Sequence, residues 1–450
     1  MENLAVVILA AGQGTRMKSR HAKVLHPLAG LPMIRHVLNS ARAVAETKPL
    51  LVVGHAADEL RQALGEEVQY VYQAQQLGTG HALLQARGLL EGQAETILSL
   101  YGDMPLLTPE TLQRLVATHR GSASTITMLT IISDDSMGFG RVIRDEAGHV
   151  QRIVEEVDCT PEQKCIKELN CGIYCFRASW LWPRLPEIPL SCKGEYYLTD
   201  VVEIAVRDGQ QVEALVLEDV REVIGINDRT QLAWAENVLR ERIRVALMRS
   251  GVTLVDPATI YIDAMVQIGQ DTVIQPNSHL QGDTIIGEDC MIGPNTLLRN
   301  AQVGRNCCIL FSVVEDAVLE EDVQVGPFSH IRREAHLGRG VYVGNFSEVK
   351  NSRIGPGTTI GHFSYLGDAT VGGKVNIGAG AVTCNYDGRR KHPTVIEDGA
   401  FIGSGAMLVA PLRIGARAKV GAGSVVTHDV PPDTLVYGVP ARPKNKAAPG

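Results

Sequence analysis

At 450 residues the chain exceeds what one core usually supports, so two or three domains are expected. Its 43 basic and 50 acidic residues leave a net charge of −7 with no basic block, which argues against a nucleic-acid-binding surface. No apolar run reaches the ~18 residues needed to span a bilayer, and Met1-Glu2-Asn3-Leu4 lacks the basic start of a signal peptide.

The first half reads as alternating strands and helices. Val6-Val7-Ile8-Leu9 is a short continuous apolar run, the mark of a strand buried on both faces. Ala10-Ala11-Gly12-Gln13-Gly14-Thr15-Arg16-Met17 follows at once, and its small residues let a phosphate approach the backbone N–H groups. Taken alone, this Gly-x-Gly fits a plain strand-to-loop turn as well, and Lys23 fits either a phosphate cation or a solvated surface lysine. Leu50–Val53, Tyr70–Tyr72 and Thr96–Leu100 continue the cadence and predict an open, doubly wound α/β sheet, Rossmann-like, with its ligands at the carboxyl ends of the strands. Two signals fall there. Gln73 to Ala82 pairs amide side chains with a small-residue turn opening a helix, suited to reading a base edge. Tyr101-Gly102-Asp103 puts a carboxylate directly after a strand, either as a loop carboxylate or as a ligand for a hard cation beside phosphate oxygens.

From Asn227-Asp228-Arg229-Thr230, a helix-start signal, to Gly251, a stop, Leu232, Ala235, Val238, Leu239, Arg242, Ile243, Ala246 and Leu247 recur at three- and four-residue spacing. One amphipathic helix of about six turns, with arginines on its outer face, is expected as a rigid arm or as the first domain's last helix. The resulting division is 1–226, a linker at 227–250, and 251–450.

Beyond Gly251 an apolar residue followed by glycine recurs about every six residues, as at Ile268-Gly269, Ile286-Gly287, Val343-Gly344, Ile360-Gly361 and Ile377-Gly378. Forty-five glycines and only 5% aromatic residues suit such a repeat. Offsets such as 286 − 268 = 18 equal three hexads, one triangular coil of a parallel β-helix, and some ten coils are expected. The beat fails between Ile377 and Ile402, a gap of 402 − 377 = 25 residues that holds Thr383-Cys384-Asn385-Tyr386-Asp387-Gly388-Arg389-Arg390-Lys391. An excursion from a regular scaffold is either a tolerated insertion or a functional loop. His362, Arg332, Arg333 and Lys350 lie on nearby coils. They suit amine deprotonation and phosphate binding, or a solvated surface. Nine scattered cysteines, with Cys165, Cys171 and Cys175 lacking a zinc-ribbon spacing, read as reduced packing thiols of a cytoplasmic protein. The tail after Pro443, with Lys444, Lys446 and Pro449, reads as disordered.

Together these motifs resemble the sugar-1-phosphate nucleotidyltransferases. Within them they most resemble the bacterial bifunctional N-acetylglucosamine-1-phosphate uridyltransferase / glucosamine-1-phosphate acetyltransferase family. The resemblance runs through Gly138-Phe139-Gly140-Arg141, Ile153-Val154-Glu155, Leu169-Asn170-Cys171-Gly172, Gly194 to Asp200, Gly225-Ile226-Asn227, Asn376 to Gly380 and Thr383 to His392. It implies a left-handed β-helix after the α/β domain. The implied product is UDP-N-acetylglucosamine, a precursor of peptidoglycan and lipopolysaccharide, made from UTP, acetyl-CoA and glucosamine 1-phosphate through N-acetylglucosamine 1-phosphate.

By that resemblance Leu9, Ala10, Ala11, Gly12, Gln73, Gly78, Thr79, Tyr101 and Gly102 hold the nucleotide, and Gly140, Glu155 and Asn170 line the sugar pocket. Asp103 and Asn227 ligate Mg²⁺, while Arg16 and Lys23 balance triphosphate charge. His362 is the general base for acetyl transfer. Arg332, Lys350, Tyr365, Asn376, Asn385 and Tyr386 hold glucosamine 1-phosphate, and Ala379, Ser404 and Ala422 lie along the coenzyme A groove. The resemblance further implies a homotrimer with active sites between prisms. Two departures stand out. Ile331-Arg332-Arg333-Glu334 replaces the family's Leu-Arg-Pro, leaving either arginine as the phosphate cation, and Val439-Pro440 lacks the preceding arginine found in some members.

Overall fold

The computed structural model describes residues 3–444 and divides into two compact units, Met1–Leu239 and Arg240–Gly450. The expectation for Lys446 and Pro449 lies outside the described residues.

In the first unit the strands lie in the order Val212–Leu217, Ile126–Ile132, Glu168–Arg177, Thr96–Tyr101, Leu4–Leu9, Leu50–Val53, Gln69–Tyr72. Alternate residues of the first strand serve opposite faces. Val6 and Ile8 join a core with helices Met33–Arg42, Ala57–Leu64 and Pro109–Gly121. Ala5, Val7 and Leu9 join another with helices Thr79–Leu84, Ala178–Arg184 and Asp200–Arg207. Burial on both faces explains the unbroken apolar run. The chain winds outward from Leu4–Leu9 through Leu50–Val53 to Gln69–Tyr72, then returns to Thr96–Tyr101 on the other side of the first strand. That reversal is a topological switch point, where open α/β sheets leave a crevice for ligands. Among these seven one strand departs from the parallel cadence, and the hairpin Arg141–Arg144 with Val150–Val154 pairs onto it antiparallel. Glu168–Arg177 runs antiparallel to both of its neighbours, Thr96–Tyr101 and Ile126–Ile132, and carries a register shift between Asn170 and Tyr174. Its apolar pattern is equally compatible with either direction.

Helix Arg229–Arg249 starts where Asp228 Oδ1 accepts from the amides of Thr230 and Gln231, both at 2.9 Å. Ala235 and Val238 bury against Leu28, Met33, Leu106 and Ile226 in the first unit. Ile243 and Leu247 pack on the core of the second. The expectation of arginines on an outer face fails for two of them. Arg240 donates to the carbonyl of Ile262 at 3.4 Å and lies over the Tyr261 ring, and Arg244 donates to the carbonyl of Ile260 at 3.5 Å. Tyr261–Ile262 is the first strand of its sheet, so its edge carbonyls need donors, and the helix supplies them as a cap.

Among the described residues the second unit is built of three sheets of 12, 10 and 9 strands, each strand pairing in parallel with the third strand after it except at the end of the 12-stranded sheet. There Lys419–Val420 pairs with Leu435–Gly438, and the chain turns back antiparallel as Ala441–Pro443. Ile292, Ile309, Val325, Val343, Ile360, Ile377, Ile402 and Val420 form one buried inward column. The glycine after the apolar residue has a steric cause on most coils, Gly361 with open space beside it being an exception. A Cβ on Gly344 would lie 2.0 Å from the Gly361 carbonyl oxygen, and one on Gly355 2.4 Å from the Gly372 carbonyl carbon. A side chain there would strike the next coil. Phe311, Phe328, Phe346 and Phe363 stack up one corner with centroids 5.2–5.7 Å apart, all exposed and all at positive φ.

The 25-residue gap leaves the ladder intact. Tyr365 pairs with Val382 (17 residues), and Val382 pairs with Met407 (25 residues). The 25 − 17 = 8 extra residues leave the prism at one corner, between strands Val382–Cys384 and Thr394–Ile396. All nine cysteines are free, with Cys171, Cys175, Cys290 and Cys307 buried. Among the described residues no helix is long and apolar enough to cross a membrane.

Candidate active sites

At the switch point of the first unit a cleft of about 960 Å³ opens. Leu9, Ala10, Ala11, Gly12, Lys23, Gln73, Gly78, Thr79, Tyr101, Asp103, Gly140, Glu155, Asn170 and Asn227 all line it. Gly102 lies behind the wall. Its amide donates to the Leu9 carbonyl at 3.0 Å, and a Cβ there would come within 3.1 Å of Ile34. Gln73 braces the loop after its strand by donating Nε2 to the Gly78 carbonyl at 3.2 Å, and Gln76 ties that loop to the Ala11 carbonyl at 2.6 Å.

Four chemistry-bearing side chains from distant parts of the sequence meet at one point. Lys23 Nζ lies 2.5 Å from Asp103 Oδ2 and 3.2 Å from Asn227 Oδ1. Arg16 Nη2 donates to the same Asn227 oxygen at 2.9 Å. Asp103 and Asn227 therefore present two oxygens that already converge on one cation. Among the described residues no group of three or more His, Cys, Asp or Glu side chains is placed to hold a metal. An oxygen pair completed by phosphate oxygens and water suits Mg²⁺, which prefers few protein ligands.

The far wall is acidic. Thr199 Oγ1 donates to Glu155 Oε1 at 2.8 Å, and burial raises the Glu155 pKa above the usual carboxylate range. Burial, and then the charges of Glu155, Glu203 and Asp158, push Asp200 up to about 6. An aspartate whose folded pKa lies above its unfolded value stabilises the fold below that unfolded value and loses the contribution as pH rises through about 6. Asp200→Asn is accordingly expected to raise the unfolding temperature at pH 8 and to leave it nearly unchanged at pH 4. Calorimetric scans at the two pH values check this.

In the second unit His362 ends the strand Thr359–His362 with its side chain exposed, and its carbonyl accepts from the Gly380 amide at 2.9 Å. Lys350 is buried and in register with Arg332 one coil earlier. The Lys391 ammonium held against it, and then burial, lower the Lys350 pKa from the ordinary lysine range. Two ammonium groups held together want an anion. Arg332 is bound to Glu348 through Nε at 2.8 Å and Nη2 at 2.6 Å, whereas Arg333 adds positive field at Lys350. Tyr365 stands in register with Glu348, and Asn376 with Thr359.

The excursion is a small ordered hairpin. Tyr386 bridges Lys391, and the His392 amide donates to the Asn385 carbonyl at 2.8 Å. Asp387 Oδ1 accepts from the amides of Arg389 and Arg390 at 2.8 Å, and Oδ2 lies 2.6 Å from His392 Nε2. The Arg390 amide, His392 and the Arg389 amide hold the Asp387 carboxyl down to about 2. Asn385 reaches Asp368 Oδ2 at 2.5 Å, tying the hairpin to the prism, while Tyr386 is left exposed. Ala379, Ser404 and Ala422 stand one above another at a corner. The Gly405 amide donates to the Ala379 carbonyl at 2.7 Å and the Gly423 amide to the Ser404 carbonyl at 2.8 Å.

Comparison with known proteins bears on both sites. Residues 6–146 match the family model of the MobA-like NTP transferase domain. Residues 265–300, 316–351 and 393–428 match the bacterial transferase hexapeptide (six repeats). The chain is 49% identical over 436 residues to the bifunctional protein GlmU of Heliobacterium modesticaldum, covering 97% of this chain and 95% of that one. It is 45% identical over 436 residues to that of Shouchella clausii (97% and 96%), and 45% over 447 residues to that of Enterococcus faecalis (99% and 97%). The chain belongs to the bifunctional GlmU family.

A GlmU chain joins a nucleotidyltransferase domain to a left-handed hexapeptide β-helix, and this one carries both. The structure also brings in residues whose part the motifs leave unstated. Thr199 orients Glu155, and Gln76, Tyr197, Gln231 and Trp234 line the GlmU nucleotidyltransferase cleft. Lys391 stands in the sequence only as one member of a motif, yet it is the cation beside Lys350. A run of three basic residues at the tip of an excursion is the available signal.

Proposed function

We propose that the chain makes UDP-N-acetylglucosamine in two steps, one in each unit, and that it acts in the cytoplasm. The observation that supports this most strongly is that each unit gathers its own complement of reactive groups, in a chain matching bifunctional relatives over nearly its full length.

In the second unit glucosamine 1-phosphate binds with its phosphate toward Lys350, Lys391 and Arg332, and Asn376, Asn385, Tyr365 and Tyr386 hold the sugar. Coenzyme A follows the corner of Ala379, Ser404 and Ala422. His362 takes a proton from the 2-amine as its nitrogen attacks the acetyl-CoA carbonyl, and the C–S bond breaks to release coenzyme A. The exposed stack ending at Phe363, beside His362, supports association of prisms into a homotrimer, with the hairpin reaching a neighbouring site.

In the first unit UTP lies along Leu9 to Gly12, with Gln73, Gly78 and Thr79 at the base, and N-acetylglucosamine 1-phosphate sits against Gly140, Glu155 and Asn170. The sugar phosphate oxygen attacks the α-phosphorus in line, and pyrophosphate leaves. The nucleophile is already an anion, so the task is to bring two anions together and neutralise growing charge. Arg16 and Lys23 do this from the protein. Mg²⁺ held by Asp103 and Asn227 supplies further neutralisation of the phosphoryl oxygens when bound.

Assaying both half-reactions on the purified chain tests the proposal. UTP with N-acetylglucosamine 1-phosphate should release pyrophosphate, and acetyl-CoA with glucosamine 1-phosphate should release free thiol. Failure of either reaction removes the corresponding half of the reading. A second copy of the assay with other nucleoside triphosphates or sugar phosphates tests the substrate assignment.

A further inference from the structure

The point on which Asp103 and Asn227 converge is filled by the chain itself. Lys23 Nζ bridges Asp103 Oδ2 and Asn227 Oδ1, and its side chain is 13% exposed, against 21% for Asp103. Arg16 shares the Asn227 oxygen from the other side. In contact with these two oxygens are two cations, Lys23 and Arg16, against the single carboxylate of Asp103, with Asp228 near enough to feel the Arg16 charge. A free divalent ion approaching this point meets repulsion from both cations, and it must detach the Lys23 ammonium from a partly buried partner before coordinating.

A nucleoside triphosphate changes both terms. Its phosphoryl oxygens give Lys23 and Arg16 alternative partners of higher charge, and they supply the remaining oxygens that a small hard cation requires. We propose that Lys23 is a resident cation that keeps the metal position closed in the nucleotide-free enzyme, and that the triphosphate opens it by drawing Lys23 away. Metal and nucleotide then enter as one event. Free metal has low affinity for the protein alone, and by reciprocity the two ligands strengthen each other. Rapid loss of pyrophosphate with its metal after the reaction lets Lys23 return to Asp103 and resets the site. The inference rests on the reading of Asp103 and Asn227 as the metal's ligands.

The test is Mn²⁺ binding without nucleotide, followed by electron paramagnetic resonance on the purified full-length chain. Wild type is expected to bind weakly at this site, and Lys23→Met to bind about tenfold more tightly or better, the scale of a coupling between two ligands. Arg16→Met removes the same charge but touches only Asn227, so its gain should be clearly smaller. Equal affinity in wild type and Lys23→Met overturns the proposal, and so does an equal gain in both variants, which makes net charge the whole cause. Adding Asp103→Asn to Lys23→Met separates the underlying reading. If it leaves Mn²⁺ binding unchanged, the metal is not on Asp103 at all. Anomalous diffraction from Mn²⁺-soaked wild-type crystals provides a measurement independent of any variant. A peak at Asp103 with Lys23 still in contact, in the absence of nucleotide, also overturns it.

Discussion

Replacing His362 with alanine should lower acetyl transfer by ~10²–10⁴-fold while leaving uridylyl transfer unchanged, the range ascribed to a positioned general base. The substrate amine is largely an ammonium ion at neutral pH and has no nucleophilic pair until it loses a proton. His362 is an exposed imidazole at a strand end, on the coil between Asn345 and the excursion. Its backbone is fixed by the Gly380 amide at 2.9 Å, so removing the ring leaves the coil's hydrogen bonds in place. Thiol release from acetyl-CoA, measured beside pyrophosphate release on the same preparation, reads both effects. Undiminished thiol release in the variant would dispose of the general-base assignment. A loss of both activities would point to misfolding instead, although the two units have separate cores.

Asp103→Ala should do the converse. Uridylyl transfer is expected to fall by about 10³-fold or more, since several kcal/mol of phosphoryl charge stabilisation disappear with the cation's anionic ligand. Acetyl transfer should continue at the wild-type rate. The change also strands the Lys23 ammonium, whose 2.5 Å partner is gone, although the triphosphate can still receive it. Binding and turnover should therefore separate. UTP affinity measured by calorimetry should change less than kcat. An unchanged kcat for pyrophosphate release would remove Asp103 from the metal site.

The parts of the molecule that local pattern controls are legible in the amino-acid sequence. Strand Leu4–Leu9, buried on both faces, announces itself as a continuous apolar run, and Leu50–Val53 has the boundaries read from its residues. The hexad beat gives the β-helix because the inward residues recur coil after coil and most of the glycines beside them, Gly344, Gly355, Gly378 and Gly403 among them, answer the same steric demand from the next coil. What escapes is set by long-range pairing. Nothing in Glu168–Arg177 reports that it runs against its neighbours, because side-chain alternation is the same in both directions. The meeting of Lys23 with Asn227 spans 204 positions and is fixed by the sheet's winding, not by any local signal. Motifs supply its members singly. Arg240 and Arg244 count as surface charges on a helical wheel, and only the edge carbonyls of the first coil explain why they turn inward. Lys391 is hidden because a basic residue at a loop tip is ordinarily solvated, and its proximity to Lys350 depends on how the hairpin folds back.

The solenoid also acts as a ruler. Moving 16 to 18 positions along the chain advances a residue by one rung and returns it to the same face, as from Ile309 to Val325, from Val343 to Ile360 and from Ile402 to Val420. Length changes in this half of the protein are therefore quantised. Gain or loss of a whole coil away from residues 332–422 shifts the acetyl-transfer site bodily along the axis with its internal distances unaltered. Any other change inside the strands rotates every later side chain onto a different wall. The eight-residue excursion escapes this rule because it leaves from a corner and returns to it. Corners are thus the places where this architecture can acquire new chemistry without losing its register.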